Sequence, residues 1–475
     1  MTAASLPETC DIAVIGAGPA GLAAADTAAR AGLSTLLLDE QAAPGGQIYR
    51  AVSTTPFADP VSILGAEQAD GAALVAACAG SGARMVCGAT VWSVACDGVL
   101  GVSVGGVARQ VAARHVVIAT GAQERPFPIP GWTLPGVMTA GAAQILLKTS
   151  GLVGAGRVVL AGCGPLLWLL AWQYLRAGAR IDLMLDTTPR ANWRTALRHL
   201  PAFLASSYLA KGLRLMASVR RAMTVVGGVE DLRAEGDGRL EQIVYRRAGA
   251  AEATHPADLL LLHQGVVPHV NLALAAGCAH DWDEVQLCFR PRLDPWLTSS
   301  VAAISIAGDG GGIGGAQAAA ARGRLAALGA LRRLGHDADP ALQAGAAEAR
   351  AAIAAAMRGR DFLDVLYRPA AAMRIPRGET LACRCEEVSA ARVVEAVALG
   401  CQGPNQLKAF LRCGMGPCQG RMCGLTVTEV MAAARGVSPA EIGYLRLRAP
   451  VKPVTLAEIA AMPTTPEAER SVLRG

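Results

Sequence analysis

Apolar residues in this chain come in short blocks that run into glycines, followed by longer stretches rich in alanine and leucine. Residues 11–15 (DIAVI) form one block and lead into Gly16-Ala17-Gly18-Pro19-Ala20-Gly21. The alanine-rich stretch to about residue 31 reads as a helix ended by Gly32, and residues 35–38 read as a second strand ending at Asp39. This is strand, turn, helix, strand: a βαβ unit, whose crossover is expected to be right-handed. The pattern recurs with a strand at 157–161, a turn at 162–165, a helix at 166–177 and a strand at 181–185 that ends at Asp186. Further apolar strands at 116–119, 258–262 and 301–307 run into Thr120-Gly121, Gln264-Gly265 and Gly308-Asp309-Gly310. A helix is expected from about 315 to 334, and the alanine-rich 340–357 is apolar enough to pack as another.

These elements predict an α/β protein with two Rossmann-like dinucleotide-binding domains, one inserted in the other, and a small C-terminal helical module. The expected division is 1–145 for the first part of an FAD-binding domain and 146–289 for a second, NAD(P)-binding-like domain. The first domain returns at 290–335. A helical linker at 336–379, a cysteine module at 380–435 and a tail at 436–475 complete the chain. The proline- and glycine-rich 126–136 (PFPIPGWTLPG) is expected to cross between domains.

Composition changes this picture little. The chain has 475 residues, a length that suits about three domains. Its formal charge of +6 comes from 44 basic and 38 acidic side chains with no basic run, so a nucleic-acid partner is not indicated. The longest uncharged run, 158–175, is broken by Gly162, Gly164 and Pro165. It reads as strand, turn and buried helix, and no transmembrane segment is expected. No signal peptide is visible, and a cytoplasmic location is the default expectation, with a peripheral place at the inner membrane as the variant.

The first glycine motif carries chemistry because of its context. Gly16 permits the tight turn, Gly18 lets backbone approach a pyrophosphate, and Gly21 lets helix and strand pack closely. Pro19 and Ala20 begin the helix, whose free N–H groups face phosphate. Asp39, or less favourably Glu40, can accept hydrogen bonds from ribose hydroxyls. FAD and NAD share this fingerprint. Thr120-Gly121 and Gly308-Asp309, both at strand ends, and Gly46-Gln47 in a loop suited to a flavin favour FAD. Together these segments resemble the two-dinucleotide flavoproteins, whose fold includes glutathione and thioredoxin reductases.

The second motif, Gly162-Cys163-Gly164-Pro165-Leu166-Leu167, has leucine in place of the third glycine. Leu167 would hold helix and strand apart, so productive NAD(P)H oxidation is not expected there, although Asp186 could serve a ribose. No Cys-x-x-Cys pair suggests a disulfide-exchange centre. Thirteen cysteines are present. Those that group are Cys383-Arg-Cys385 and, 32 residues on, Cys418 and Cys423. Four thiolates suit a 2Fe–2S cluster, and a tetrahedral zinc site has the same ligand count. Cys401 and Cys413 are nearby spares, Cys413 the more plausible rival.

The longer segments LLLDEQAAPGGQIYR (36–50), ATGAQERPFPIPGWTLPGVMTAGAAQ (119–144), LLLLHQGVVPH (259–269) and FRPRLDPWLTSSVAAISIAGDGGGIGGA (289–316) go further. With CRCEEV (383–388) and CGMGPCQGRMCG (413–424), they resemble the FAD-binding A (alpha) subunits of bacterial heteromeric amino-acid and amine dehydrogenases. That family includes opine oxidase, hydroxyproline dehydrogenase and hydrogen cyanide synthase subunits, with the sarcosine oxidase alpha subunit more distant. The resemblance implies a bacterioferritin-associated-ferredoxin-like 2Fe–2S module. It also implies a beta subunit of the D-amino-acid-oxidase type that oxidises the amine while this chain takes electrons onward. A small third subunit, and FMN at a subunit interface, are variants the resemblance leaves open. The competing expectation is a stand-alone NAD(P)H-dependent flavin reductase that feeds a ferredoxin-like acceptor. No residue of this chain is assigned to an amine-oxidising pocket.

Overall fold

The computed structural model describes residues 6–336 and 339–462. Its first sheet is built on Thr9–Ile15, seven residues of which the last four are fully buried. This strand pairs in parallel with Thr35–Asp39 on one side and with the far half of Val107–Ile118 on the other. Arg84–Cys87 extends the sheet beyond Thr35–Asp39, and Ile304–Ile306 joins the other side, so a segment nearly two hundred residues later completes it. The near half of Val107–Ile118 turns into an antiparallel meander with Val99–Val104 and Ala89–Val94.

Helices Pro19–Arg30 and Ala316–Leu331 pack against each other and against this sheet. Their small side chains are the reason they can. A Cβ on Gly323 would fall 2.0 Å from the carbonyl oxygen of Ala20, well inside van der Waals contact. The alanine and glycine content of the chain is thus a packing requirement at this crossing.

The chain leaves the first unit through Ala122–Glu124 and returns through Val266–Pro268, and the two strands pair antiparallel. Between them lies the second unit, a parallel sheet in the order Thr224–Gly227, Leu183–Asp186, Val158–Cys163, Leu259–Gln264, Val137–Thr139. Helices Ala140–Ser150 and Pro165–Arg176 bury its one face, and a three-stranded antiparallel sheet over residues 229–256 covers the other. Val137–Thr139 falls in the 1–145 span expected for the first domain, yet it pairs with Leu259–Gln264 of the second sheet. Strand pairing therefore puts the crossings at 122–124 and 266–268. Sequence pattern did not locate this boundary because the three residues at 137–139 (VMT) carry no sign of which sheet they join.

The helix Pro340–Met357 packs on Ala316–Leu331, and Arg360–Leu366 follows. The cysteine module is a hairpin, Leu381–Cys383 with Val388–Ser389, followed by helices Ala390–Ala398, Pro404–Leu411 and Gly424–Arg435 around their own apolar core. Trp132 donates from Nε1 to the Leu381 carbonyl at 3.0 Å, which fixes this module to the second unit. The segment after it runs back over the first sheet. Val451 donates its N–H to the Trp92 carbonyl at 2.9 Å and enters the first core. No described helix is long and apolar enough to cross a membrane. The expected tail beyond residue 462 lies outside the described residues.

Candidate functional site

The first glycine turn gathers most of the residues expected to bind a dinucleotide. Gly16 has φ +104°, and a Cβ there would lie 2.6 Å from the Ala119 carbonyl oxygen, next to Thr120. At Gly21 a Cβ would meet the Gly16 carbonyl at 1.7 Å. Gly18 differs: the nearest atom to its Cβ position is the Gly46 Cα at 3.7 Å, so space lies in front of the turn. Pro19 and Ala20 are buried at the helix start. Gly308 approaches Ala20 from the other side, and Gly310 approaches Gly121. Three loops, 16–21, 45–47 and 308–310, therefore converge on one place with Thr120-Gly121 between them.

The acids are divided in their tasks. Asp39 is buried, with Oδ2 accepting from the Ala17 N–H at 2.6 Å and Oδ1 from the Gln41 N–H at 2.7 Å. Burial raises its pKa, against the pull of those two bonds. Glu40 points elsewhere, to the Lys452 Nζ at 2.6 Å. Burial works against its charge, but Lys452, His269 and Arg421 outweigh this and hold its pKa below the ordinary range. Asp309 accepts the N–H groups of Gly314 and Gly315 at 2.8 and 3.0 Å through one oxygen, which leaves Oδ2 free of those bonds at the site.

Two residues at the rim, Lys148 and His269, were not singled out from sequence. Lys148 donates to the carbonyls of Gln47 and Ile48 and to Gln144 Oε1, fastening the 45–48 loop. Burial lowers its pKa to about 7, with Arg50 adding to the effect. Gln47 itself accepts from Arg50, whose Nε is buried without a partner. His269 is held by its backbone: its N–H donates to the Gly121 carbonyl at 2.9 Å, while its carbonyl accepts from Thr120 Oγ1 at 3.4 Å. Burial lowers its pKa to about 4, and its Nδ1 has no partner. Two orphaned buried nitrogens beside an open glycine turn are what a site shaped for a polar cofactor leaves when the protein alone is considered. The residues fit a dinucleotide such as FAD. A paired lysine and an unpaired histidine have no periodic signature, so only the fold could find them.

The thiols of the C-terminal module form a chain of contacts. Cys383 meets Cys413 and Cys423, Cys423 also meets Cys418, and Cys418 meets Cys385. Hydrogen bonds from Cys413 and Cys423 drop the Cys383 pKa far below the ordinary thiol range, and Cys423 is the first cause that lowers Cys418 to about 5. Cys413 and Cys423 are raised as the donors, Cys385 mainly by burial. Among the described residues no group of three or more His, Cys, Asp or Glu side chains is arranged to hold a metal ion. The four expected cysteines are brought into one connected set as a chain of pairwise contacts. Cys413, expected only as a spare, is in that set. Its proximity comes from the turn at Arg412, φ +59°, which spacing alone does not show.

This loop abuts the first glycine site. Gln123 donates from Nε2 to the Arg421 carbonyl at 2.7 Å, and Asn271 donates from Nδ2 to the Gln419 carbonyl at 2.8 Å. Both side chains lie within three residues of Gly121 or His269 along the chain. The second glycine turn has its cysteine and its acid engaged by groups of the chain itself. Leu167 is fully buried. Asp186 is engaged by Thr188, and the Cys163 thiol reaches Gln264 Oε1 at 3.1 Å and the Tyr367 carbonyl at 3.5 Å.

The chain is similar to known proteins in sequence and in fold. A family model described as pyridine nucleotide-disulphide oxidoreductase matches residues 10–323, and one described as sarcosine oxidase A3 domain matches 379–463. The chain is 48% identical over 480 residues to the A subunit of an opine oxidase from Agrobacterium tumefaciens, covering 99% of this chain and 95% of that protein. It is 32% identical to the hydrogen cyanide synthase subunit HcnB of Pseudomonas aeruginosa, covering 93% of this chain and 96% of that protein. In fold it is similar to an L-proline dehydrogenase structure from P. horikoshii, with a TM-score of 0.68 at 21% identity over 95% of this chain and 79% of that one.

Proposed function

The chain belongs to the family of opine oxidase A subunits, components of heteromeric amino-acid oxidases, and from that we propose that it is the FAD-binding, electron-transferring subunit of a dye-linked amine or amino-acid dehydrogenase. In this reading the first glycine turn holds FAD through Gly16, Gly18, Pro19, Ala20, Gly21, Asp39, Gly46, Gln47, Thr120, Gly121, Gly308 and Asp309. Glu40 is committed to Lys452 and serves the edge of the site. Cys383, Cys385, Cys418 and Cys423 hold a 2Fe–2S cluster. A beta subunit of the D-amino-acid-oxidase type brings the amine pocket, for an opine-, proline- or glycine-like substrate. Compatible additions are FMN at the interface and a small third subunit. The complex is assigned to the cytoplasm or to the inner face of the membrane.

The observation that carries this reading is the seating of the 418–423 loop, through Gln123 and Asn271, on the segments that follow Gly121 and His269 beside the first glycine site. FAD accepts electrons in pairs and a 2Fe–2S cluster passes them singly, so adjacent sites for the two suit onward transfer. This chain's residues hold and orient: Lys148 fastens the flavin loop, and Thr120 and Gly121 fix His269 beside it.

The test is co-expression with a beta subunit. The complex should oxidise one of a panel of opines, prolines and glycine derivatives with an artificial acceptor. The purified single chain should contain flavin yet turn over none of them. Turnover by the single chain at the rate of the complex would refute the subunit reading.

A further inference from the structure

In an open α/β sheet, nucleotides bind beyond the C-terminal ends of the strands. In the second unit those ends are Cys163 and Asp186, on neighbouring parallel strands. Residues 360–368 of the same chain lie across them. Cys163 Sγ, whose one S–H is shared with Gln264 Oε1, lies 3.5 Å from the Tyr367 carbonyl. Asn192, just beyond Asp186, donates from Nδ2 to the carbonyls of Leu366 at 3.0 Å and Arg368 at 2.8 Å. Phe362 and Leu366 are buried against Ala196, and Phe362 stacks on Phe203 with ring centroids 4.2 Å apart. The Tyr367 side chain lies close to Asp186 and Cys163.

The same helix reaches the first unit. Asp364 accepts from Gln286 Nε2 at 3.0 Å, and Gln286 in turn bonds Ile313 beyond the Gly308-Asp309 loop. Arg360 pairs with Asp364 at 2.7 Å. One short helix and the tyrosine after it therefore span from the loop of the first glycine site to the glycine turn of the second.

We propose that residues 360–368 are a built-in occupant of the second dinucleotide site: Tyr367 and its flanking carbonyls stand where an adenosine ribose and its phosphate would lie, and they exclude nicotinamide nucleotides. The ligand class displaced is an adenosine dinucleotide, because the ribose acid Asp186 and the turn glycines Gly162 and Gly164 are kept in the sequence. The relation is intramolecular competition. The segment is always at hand, so a free nucleotide must supply the free energy of lifting it. This competition is independent of the electron-transfer reading.

The test uses the full flavin-loaded chain, titrated by calorimetry with ADP-ribose and with NADH. The wild type should bind neither measurably. The double variant Asn192→Ala, Tyr367→Gly releases the segment and should gain at least about tenfold in ADP-ribose affinity. Tyr367→Phe keeps the ring and the carbonyl and should remain closed. Binding by the wild type as tight as by the double variant overturns the proposal. So does an absence of binding in both, since the turn with Leu167 would then exclude nucleotide unaided. Flavin content and circular dichroism establish that the variant is folded. Should it not fold, hydrogen exchange on the wild type decides: amides at 162–167 should be unchanged by millimolar NADH, and protection there overturns the proposal.

Discussion

Neighbouring glycines of one motif have different jobs, and substitution should separate them. A Cβ at Gly18 finds its nearest neighbour at ordinary contact distance, whereas a Cβ at Gly21 would collide with the Gly16 carbonyl. Gly18→Val is therefore expected to keep the fold and lose FAD, read as flavin absorbance against circular dichroism. Gly21→Ala should cost stability, on the order of 1–3 kcal/mol as for other overpacked sites. Full flavin in Gly18→Val would mean that the pyrophosphate does not pass there. Lys148 gives a pH test. Its folded pKa of about 7 lies below the ordinary lysine value of 10.5. Between these values the unfolded chain binds more protons than the folded one, so stability rises with pH across that window. Lys148→Met removes the contribution. The stability of wild type relative to this variant should grow from about pH 7 to about pH 9.5 in urea titrations, and a constant difference would show that the lysine stays charged. The motif residues Gly16 to Asp39 were legible in sequence because each follows from a strand–turn–helix rule. Lys148 and His269 were not, since each acts through partners about a hundred or more residues away.

At the scale of elements, pattern and structure agree where apolar periodicity is strong. The two glycine-turn helices were legible to within a residue or two, at Pro19–Arg30 and Pro165–Arg176. The strand Val137–Thr139 was not, being three residues long with its partner more than a hundred residues away. The cysteine module shows the limit from another side. Spacing separated two pairs from the rest, but five thiols make the connected chain. Cys418→Ser is expected to abolish the visible absorption and the reduced-state EPR signal of a 2Fe–2S centre while FAD stays bound. Cys385→Ser should do the same, and Cys413→Ser should leave the signal. Loss with Cys413→Ser and survival with Cys385→Ser would exchange these two residues in the ligand set. Zinc without iron in anaerobically prepared protein would remove the second electron carrier.

For the whole molecule, the arrangement is two glycine turns treated in opposite ways. One is left open beside a loop of thiols, and at the other the chain's own Tyr367 carbonyl meets the turn cysteine. A protein that reduced its flavin with NADH would need the second turn open. The isolated flavin-loaded chain should therefore keep its oxidised flavin spectrum when mixed anaerobically with NADH or NADPH. Bleaching within seconds would restore the stand-alone reductase reading.

The return of the chain to its beginning has a consequence for synthesis on the ribosome. The first sheet waits for Ile304–Ile306 to fill its edge, and its core waits for Val451, with Lys452 closing on Glu40. An N-terminal half emerging alone cannot finish the unit to which it belongs, because its last pieces are made several hundred residues later. Translation must have passed residue 451 before the first glycine turn has its complete surroundings. Until then the half-built sheet is a hydrophobic surface in need of protection, and a chain that stops short of residue 451 is expected to be cleared as misfolded rather than persist as a smaller flavoprotein.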